Sequence, residues 1–104
     1  MPERLLTEQE MIAIMTDVQI IEADINYQKT TEREEGQTPK DYSGLTRSYY
    51  DQLFEHYGIT DTIFSQNIRY YTEQPAALER IMDSVMQRLV KEQSTSSTQQ
   101  QSNR

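Results

Sequence analysis

Residues 57–75, which read YGITDTIFSQNIRYYTEQP, decide the fold because they contain two helix boundaries in one short stretch. Gly58 suits the position after a helix end, since glycine adopts the left-handed conformation without steric cost. Thr60 can cap the next helix through its hydroxyl group. Gln74 precedes Pro75, and the residue before a proline resists helical angles, whereas proline itself suits the first turn of a helix. The stretch therefore predicts three consecutive helices with very short connections.

Two further amphipathic features lie on the N-terminal side of this stretch. Thr7 and Glu10 have the spacing of a capping box, in which the hydroxyl and the carboxylate each accept a backbone amide hydrogen bond. Apolar residues then recur at helical spacing and predict a first helix over residues 8–28. A second helix is predicted over residues 42–57. The apolar and aromatic positions of these two helices are Met11, Ile14, Met15, Val18, Ile21, Ile25, Tyr42, Leu45, Tyr49, Leu53 and Tyr57.

The complete pattern predicts an all-α fold, a compact bundle of four helices with no strand. A single domain is expected over residues 7–93, after an N-terminal lead at 1–6. Residues 29–40, KTTEREEGQTPK, have no aliphatic or aromatic side chain and predict a mobile linker within this domain. Residues 94–104 are polar throughout and predict a disordered tail. The predicted helices span residues 8–28, 42–57, 60–73 and 75–92.

Composition excludes several classes of partner and site. The chain has 104 residues, a net charge of −7 and no cysteine. Nucleic acid is not an expected partner, because phosphate binding needs a basic stripe and the sequence has none. The lack of cysteine excludes disulfides, thiolate zinc sites and cysteine nucleophiles. No apolar run approaches the ~18 residues that a transmembrane helix needs, so no transmembrane segment is predicted.

The sequence predicts no enzyme, no catalytic residue, no metal site and no cofactor. His56 is the only histidine, and it lies in the last turn of the second helix, where the helix dipole favours a cation. Asp17 and Asp24 lie one heptad apart on the first helix and face a similar direction. Such a pair can perform acid–base chemistry when burial separates the two pKa values, or it can form the polar border of the helix. The border interpretation is preferred, because charged side chains are seldom buried.

Tyrosines are the most conspicuous feature of the second and third helices. A tyrosine ring can fill a small core and direct its hydroxyl to the surface, and it also suits protein interfaces. Tyr49 and Tyr57 match core positions by spacing, whereas Tyr50 and Tyr70 lie off the main apolar stripes. We therefore take Tyr50, Tyr70 and Asp17 as the candidate interaction face. The six tyrosines of these helices are Tyr42, Tyr49, Tyr50, Tyr57, Tyr70 and Tyr71.

Several short motifs follow one another along the chain: Thr16 to Ala23, Tyr49-Tyr50, Tyr57-Gly58-Ile59-Thr60, Phe64, Tyr70-Tyr71 and Pro75. Their order and spacing resemble a family of short helical lipoproteins from Bacteroidetes-type bacteria that is catalogued as a domain of unknown function. The resemblance covers about residues 6–28 and 42–90. It implies an all-helical domain that a lipidated N-terminal cysteine tethers to the cell envelope, and it implies no activity. The sequence as given departs from this pattern, because it contains no cysteine and no recognisable signal segment. We therefore expect either a fragment that begins just after the lipidation site or a member without the tether.

These observations favour a non-enzymatic interaction module of the bacterial cell envelope, which binds another envelope protein through a tyrosine-rich face. The alternative is a helical domain that binds a small apolar or sugar ligand in a tyrosine-lined pocket of roughly several hundred Å³. A carboxylate-based enzyme that uses Asp17 with Asp24 or Glu22 is a second alternative. We expect the protein to be located at the periplasm-facing cell envelope if the chain is a fragment without its lipidated N-terminus, and in the cytoplasm if Met1 is the true start.

Overall fold

The computed structural model describes residues 2–36 and 42–102, with side chains as far as Lys91. The predicted all-α fold is confirmed: the described residues form four helices and no strand. None of these helices combines the length and the hydropathy that are needed to cross a lipid bilayer. The helices are α1 (Glu8–Glu34), α2 (Ser43–Tyr57), α3 (Asp61–Thr72) and α4 (Pro75–Ser102).

The predicted helix boundaries around residues 7, 58 and 60 are confirmed. The Thr7 hydroxyl accepts from the Glu10 amide at 3.0 Å, and the Glu10 carboxylate accepts from the Thr7 amide at 3.0 Å. Gly58 ends α2 with φ of 68°, a conformation in which a side chain is strained. The Thr60 hydroxyl accepts from the Ile63 amide at 3.2 Å and starts α3. Local capping chemistry therefore sets these boundaries.

Two helices are longer than the sequence predicts. The sequence predicts a mobile linker from Lys29, but the segment from Lys29 to Glu34 continues α1, which is followed by Gly36 with φ of 70°. The remainder of that predicted linker, residues 37–40, lies outside the described residues. Helix α4 was predicted to end near residue 92, and its backbone runs to Ser102. The physical reason is the same in both cases, since polar residues other than Gly and Pro propagate a helix at low cost once it has formed.

Helix α1 organises the bundle because it contacts both α2 and α4. It is antiparallel to α2, since Asp17 lies opposite Tyr57 and Glu22 lies opposite Tyr50. It runs parallel to α4, which meets Glu8 of α1 through Arg80. Helix α3 packs against α4 after a joint of two residues. The bundle is therefore built around one long helix.

All four helices and the N-terminal lead contribute to one hydrophobic core. Leu6, Ile14 and Ile81 are completely buried. On α4, Ile81 and Val85 face the core, whereas Met82 and Met86 are exposed. The buried core residues are Leu6, Met11, Ile12, Ile14, Leu53, Phe54, Ile59, Tyr71, Ala77, Ile81 and Val85.

Residues 2–6 form a segment that we call the N-terminal strap. Side chains of α3 form hydrogen bonds with its backbone. Asn67 is completely buried; its Oδ1 accepts from the Leu6 amide at 2.8 Å, and its Nδ2 donates to the Arg4 carbonyl at 2.8 Å. The Tyr71 hydroxyl donates to the Leu6 carbonyl at 2.6 Å. The strap therefore packs as an additional element of the domain.

Candidate interaction face

Helices α1 and α2 are joined by hydrogen bonds between tyrosine hydroxyls and carboxylates. The Tyr57 hydroxyl donates to Asp17 Oδ2 at 2.7 Å. About two turns earlier on α2, the Tyr50 hydroxyl donates to Glu22 Oε1. The antiparallel arrangement of α1 and α2 allows both contacts, because a later residue of α1 lies opposite an earlier residue of α2. We call these two contacts the tyrosine–carboxylate rungs.

A third tyrosine lies opposite a third acidic residue at the far end of the same helix pair. Tyr42 caps α2 and is buried, and the Glu32 carboxylate of α1 is close enough to act on its hydroxyl. The Tyr42 hydroxyl nevertheless makes no hydrogen bond within the described part of the chain. Lys29 Nζ lies 5.4 Å from the centroid of the Tyr42 ring, within the range of a cation–π interaction.

Burial keeps the hydroxyls of these three tyrosines protonated. It raises the pKa of Tyr42, Tyr50 and Tyr57 to about 12 each, and the carboxylate opposite each hydroxyl adds to the effect. Desolvation and a nearby negative charge both oppose the formation of tyrosinate. At neutral pH the three hydroxyls are therefore neutral, and those of Tyr50 and Tyr57 donate to their carboxylates without cancelling the charge.

Tyr50 lines a groove beside α2, which we call the α2 groove. Its volume is about 640 Å³, and it is open to solvent. Tyr50 and Phe54 pack with their ring centroids 6.0 Å apart, and Arg47 faces Asp51 at 4.0 Å across exposed side chains. The groove is lined by Lys29, Tyr42, Ser43, Thr46, Arg47, Tyr50, Asp51, Phe54 and Asp61.

Tyr70 lines a second groove, the α3 groove, of about 660 Å³. The Tyr70 ring meets the buried Tyr71 ring edge-on, with centroids 5.1 Å apart. Asp61 lines both grooves, so both reach the start of α3. The α3 groove is lined by Pro2, Asp61, Thr62, Ser65, Gln66, Arg69, Tyr70 and Glu73.

Residues 2–95 match the family model described as "Domain of unknown function (DUF4296)". The chain belongs to this family. The sequence-based expectation of a domain of unknown function is thereby confirmed. No curated protein and no solved structure matches the chain.

In this DUF4296 domain, the predicted face residues do not form one cluster. Tyr50 and Tyr70 line different grooves, and both are half-buried and pack against the core. Asp17 lines neither of these grooves and is held by Tyr57. Asp24 has a separate partner, since its Oδ2 accepts from Gln28 Nε2 at 3.0 Å. The two aspartates thus have distinct environments.

Sequence patterns single out Glu22 and Tyr42 but do not identify their partners. These contacts depend on the antiparallel alignment of α1 and α2, which periodicity alone does not reveal. Asn67 lies on the buried face of α3, where a polar side chain offered no signal of its own. Within the described residues, no three His, Cys, Asp or Glu side chains converge as a set of metal ligands.

Proposed function

We propose that this DUF4296 domain is a non-enzymatic interaction module that binds a partner protein across the α2 and α3 grooves. The observation that supports this proposal is the position of Tyr50 and Tyr70, each on the wall of a groove, with Asp61 common to both. The two grooves would offer a partner two recesses, each with a tyrosine on its wall and with Asp61 in common.

The packing of the tyrosines favours a binding role over mere solvation. Both Tyr50 and Tyr70 are partly buried and pack against the core, so a partner would contact side chains whose rotamers are already restricted. Side chains that are ordered before binding lose little rotamer entropy in the complex. Tyrosine and arginine are enriched in protein interfaces, and Arg47 and Arg69 lie beside the two tyrosines.

The resemblance to envelope lipoproteins leads us to propose that the partner is another protein of the bacterial cell envelope. A lipid-anchored family member would present these grooves to proteins in the same compartment. The proposal is tested by fractionation of cells that produce the full-length native protein, with detection in envelope and soluble fractions. Recovery in the soluble cytoplasmic fraction alone would contradict it.

Charge reversal in the grooves tests partner binding without removing core aromatic rings. The test variant is Arg47→Glu with Arg69→Glu, and the control is Arg33→Glu with Lys91→Glu, which makes the same change in net charge at exposed positions outside both grooves. Pull-down from an envelope extract, followed by mass spectrometry, should recover a protein with the native chain and the control. The groove variant should recover it at least about tenfold less, as expected for a loss of ~1.4 kcal/mol. Equal recovery by both variants would refute the proposal.

The two groove volumes also support a second candidate, the binding of a small apolar or sugar ligand. Each groove lies in the range of about 300–1,000 Å³ that is usual for small-molecule sites, and each has a tyrosine on which a sugar ring could stack. A thermal-shift screen of sugars and apolar ligands tests this candidate. A ligand that raises Tm for the native chain but not for the Arg47→Glu, Arg69→Glu variant would favour it over a partner protein.

A further inference from the structure

One side of α1 carries a stripe of alternating acidic and apolar residues that lies apart from both grooves; Asp17 at its start is half-buried against α2, whereas Ile20, Asp24 and Tyr27 are exposed. Asp17, Ile20, Asp24 and Tyr27 follow one another at intervals of three, four and three residues, so they share one side of the helix. Ile20 is 39% exposed and Tyr27 is 70% exposed, the highest value among the large hydrophobic residues whose side chains the structure describes. We call these four residues the α1 stripe.

The negative charge of α1 is compensated near its start and left uncompensated along this stripe. Glu8 pairs with Arg80 at 2.8 Å, and Glu10 pairs with Arg4 at 3.4 Å. In the middle of the helix the partners are neutral. The acceptors and donors there are Asp17 with Tyr57, Glu22 with Tyr50, and Asp24 with Gln28.

Within the described part of the chain, none of these three central carboxylates forms an ion pair. Arg88 is close enough to lower the pKa of Tyr57 slightly against the effect of burial, but it does not bridge to Asp17. The stripe thus combines two exposed apolar side chains, Ile20 and Tyr27, with carboxylates that form no ion pair within the described part of the chain.

We propose that the α1 stripe docks a cationic amphipathic helix of a partner protein. Ile20 and Tyr27 would bury against apolar side chains of that helix, while Asp17 and Asp24 would face its Lys or Arg residues. Charge complementarity of this kind directs encounter and selects the partner. A second copy of this chain is disfavoured as the occupant, because its own net charge is also −7.

The dimensions of the stripe define the segment that it fits. From Asp17 to Tyr27 the helix rises about 15 Å, at roughly 1.5 Å per residue. A partner helix of about ten residues would cover this length, with apolar side chains on one face and cations along the border that meets Asp17 and Asp24. The inference is independent of the two grooves, because none of the four stripe residues lines either of them.

Three synthetic peptides test the inference with the full chain. The first has leucines at helical spacing and lysines at the remaining positions, the second is its scrambled sequence, and the third has glutamate in place of each lysine. The amphipathic basic peptide should bind saturably, with chemical-shift changes in backbone amides concentrated in residues 17–27. The scrambled and acidic peptides should bind at least about tenfold more weakly, a difference of ~1.4 kcal/mol.

Matched variants separate the stripe from general surface stickiness. Ile20→Gln with Tyr27→Gln should weaken the basic peptide at least about tenfold. Leu45→Gln with Met86→Gln also removes two exposed apolar side chains, but on α2 and α4, and should leave the affinity unchanged. Equal weakening by both double variants would overturn the proposal, as would shift changes that map to the grooves.

Charge and self-association supply the remaining tests. Asp24→Asn should weaken the basic peptide at low ionic strength and reduce the dependence of its affinity on salt. Equal binding of the basic and scrambled peptides would mean that charge alone attracts them, and would refute an amphipathic docking site. Sedimentation that detects a dimer of the native chain, abolished by the Ile20→Gln, Tyr27→Gln variant, would identify a second copy as the occupant and also overturn the proposal.

Discussion

Replacing Asn67 with alanine should destabilise the domain more than any exposed substitution, because this side chain holds the N-terminal strap. Its amide group makes three hydrogen bonds of 2.8 Å, one from the Leu6 amide and two to the Arg4 and Ile63 carbonyls. The substitution would leave the Leu6 amide without a partner in the core. An unsatisfied buried donor costs about 1–3 kcal/mol, and the loss of the donated bonds and of packing adds to it.

We therefore expect Asn67→Ala to lower the free energy of unfolding by ~2–4 kcal/mol, in the upper range for single substitutions. For a domain of this size the loss corresponds to a decrease in Tm of at least about 8 °C. Urea unfolding followed by far-ultraviolet circular dichroism measures it. The control is Gln66→Ala, which removes an exposed bond of 3.0 Å to the Glu3 amide and should cost less than ~1 kcal/mol.

A loss at Asn67 no larger than the loss at Gln66 would refute this reasoning, since the buried amide would then not be what fixes the strap. Asn67→Asp sharpens the test. The introduced carboxylate would keep an acceptor for the Leu6 amide but would face the Arg4 and Ile63 carbonyls, so burial and repulsion should raise its folded-state pKa. A raised pKa means that stability falls as pH rises from the unfolded pKa of about 3.9 to the folded value. This variant should therefore approach native stability only in acid.

Two further outcomes follow from pKa shifts and from backbone geometry. The folded-state pKa of Tyr42, Tyr50 and Tyr57 is raised from 10.0 to about 12, so their contribution to stability should be complete below pH 10 and lost as pH rises toward 12. Circular dichroism and tyrosinate absorbance during an alkaline titration measure this loss. Titration of all the tyrosines near pH 10 with the fold intact would contradict the prediction. Gly58→Ala should lower stability by about 1 kcal/mol because φ is 68° there, whereas Gly44→Ala, inside α2 with open space around it, should raise stability by ~0.5–1 kcal/mol; thermal unfolding of both variants checks the difference in sign.

The parts of the fold that depend on local chemistry could be predicted from the sequence. Thr7 with Glu10, Gly58 and Thr60 each act within a few residues of their own position, so the corresponding helix ends were readable. The end of α1 could not be predicted in this way. The absence of apolar residues from 29–40 shows where contacts with the core end, and not where the helix ends. A helix that extends beyond the core stops at a backbone signal, and here that signal is Gly36.

The candidate site could be predicted only in part, because its residues meet across helices. Spacing on α2 and α3 separated Tyr50 and Tyr70 from the main apolar stripes, and both do line open grooves. Spacing could not show that Tyr50 reaches Glu22 or that Asp17 holds Tyr57, since both contacts depend on the antiparallel register of α1 and α2. Asp17, which the sequence pattern places on the tyrosine-rich face, accepts from Tyr57 and lines neither groove.

The choice of partners for the α1 carboxylates connects the fold to the two proposed surfaces. A domain with 35% hydrophobic residues has little aliphatic bulk, and tyrosines can fill the space between α1 and α2 while their hydroxyls reach Asp17 and Glu22. Arginines in the same places would also have joined the helices, but they would have cancelled the negative charge, as Arg80 does for Glu8. A neutral hydroxyl fixes a carboxylate and leaves its field intact. The rungs can therefore stabilise the bundle and preserve the charge on which docking at the α1 stripe depends, so that Tyr57→Phe should loosen the fold without weakening attraction of the basic peptide.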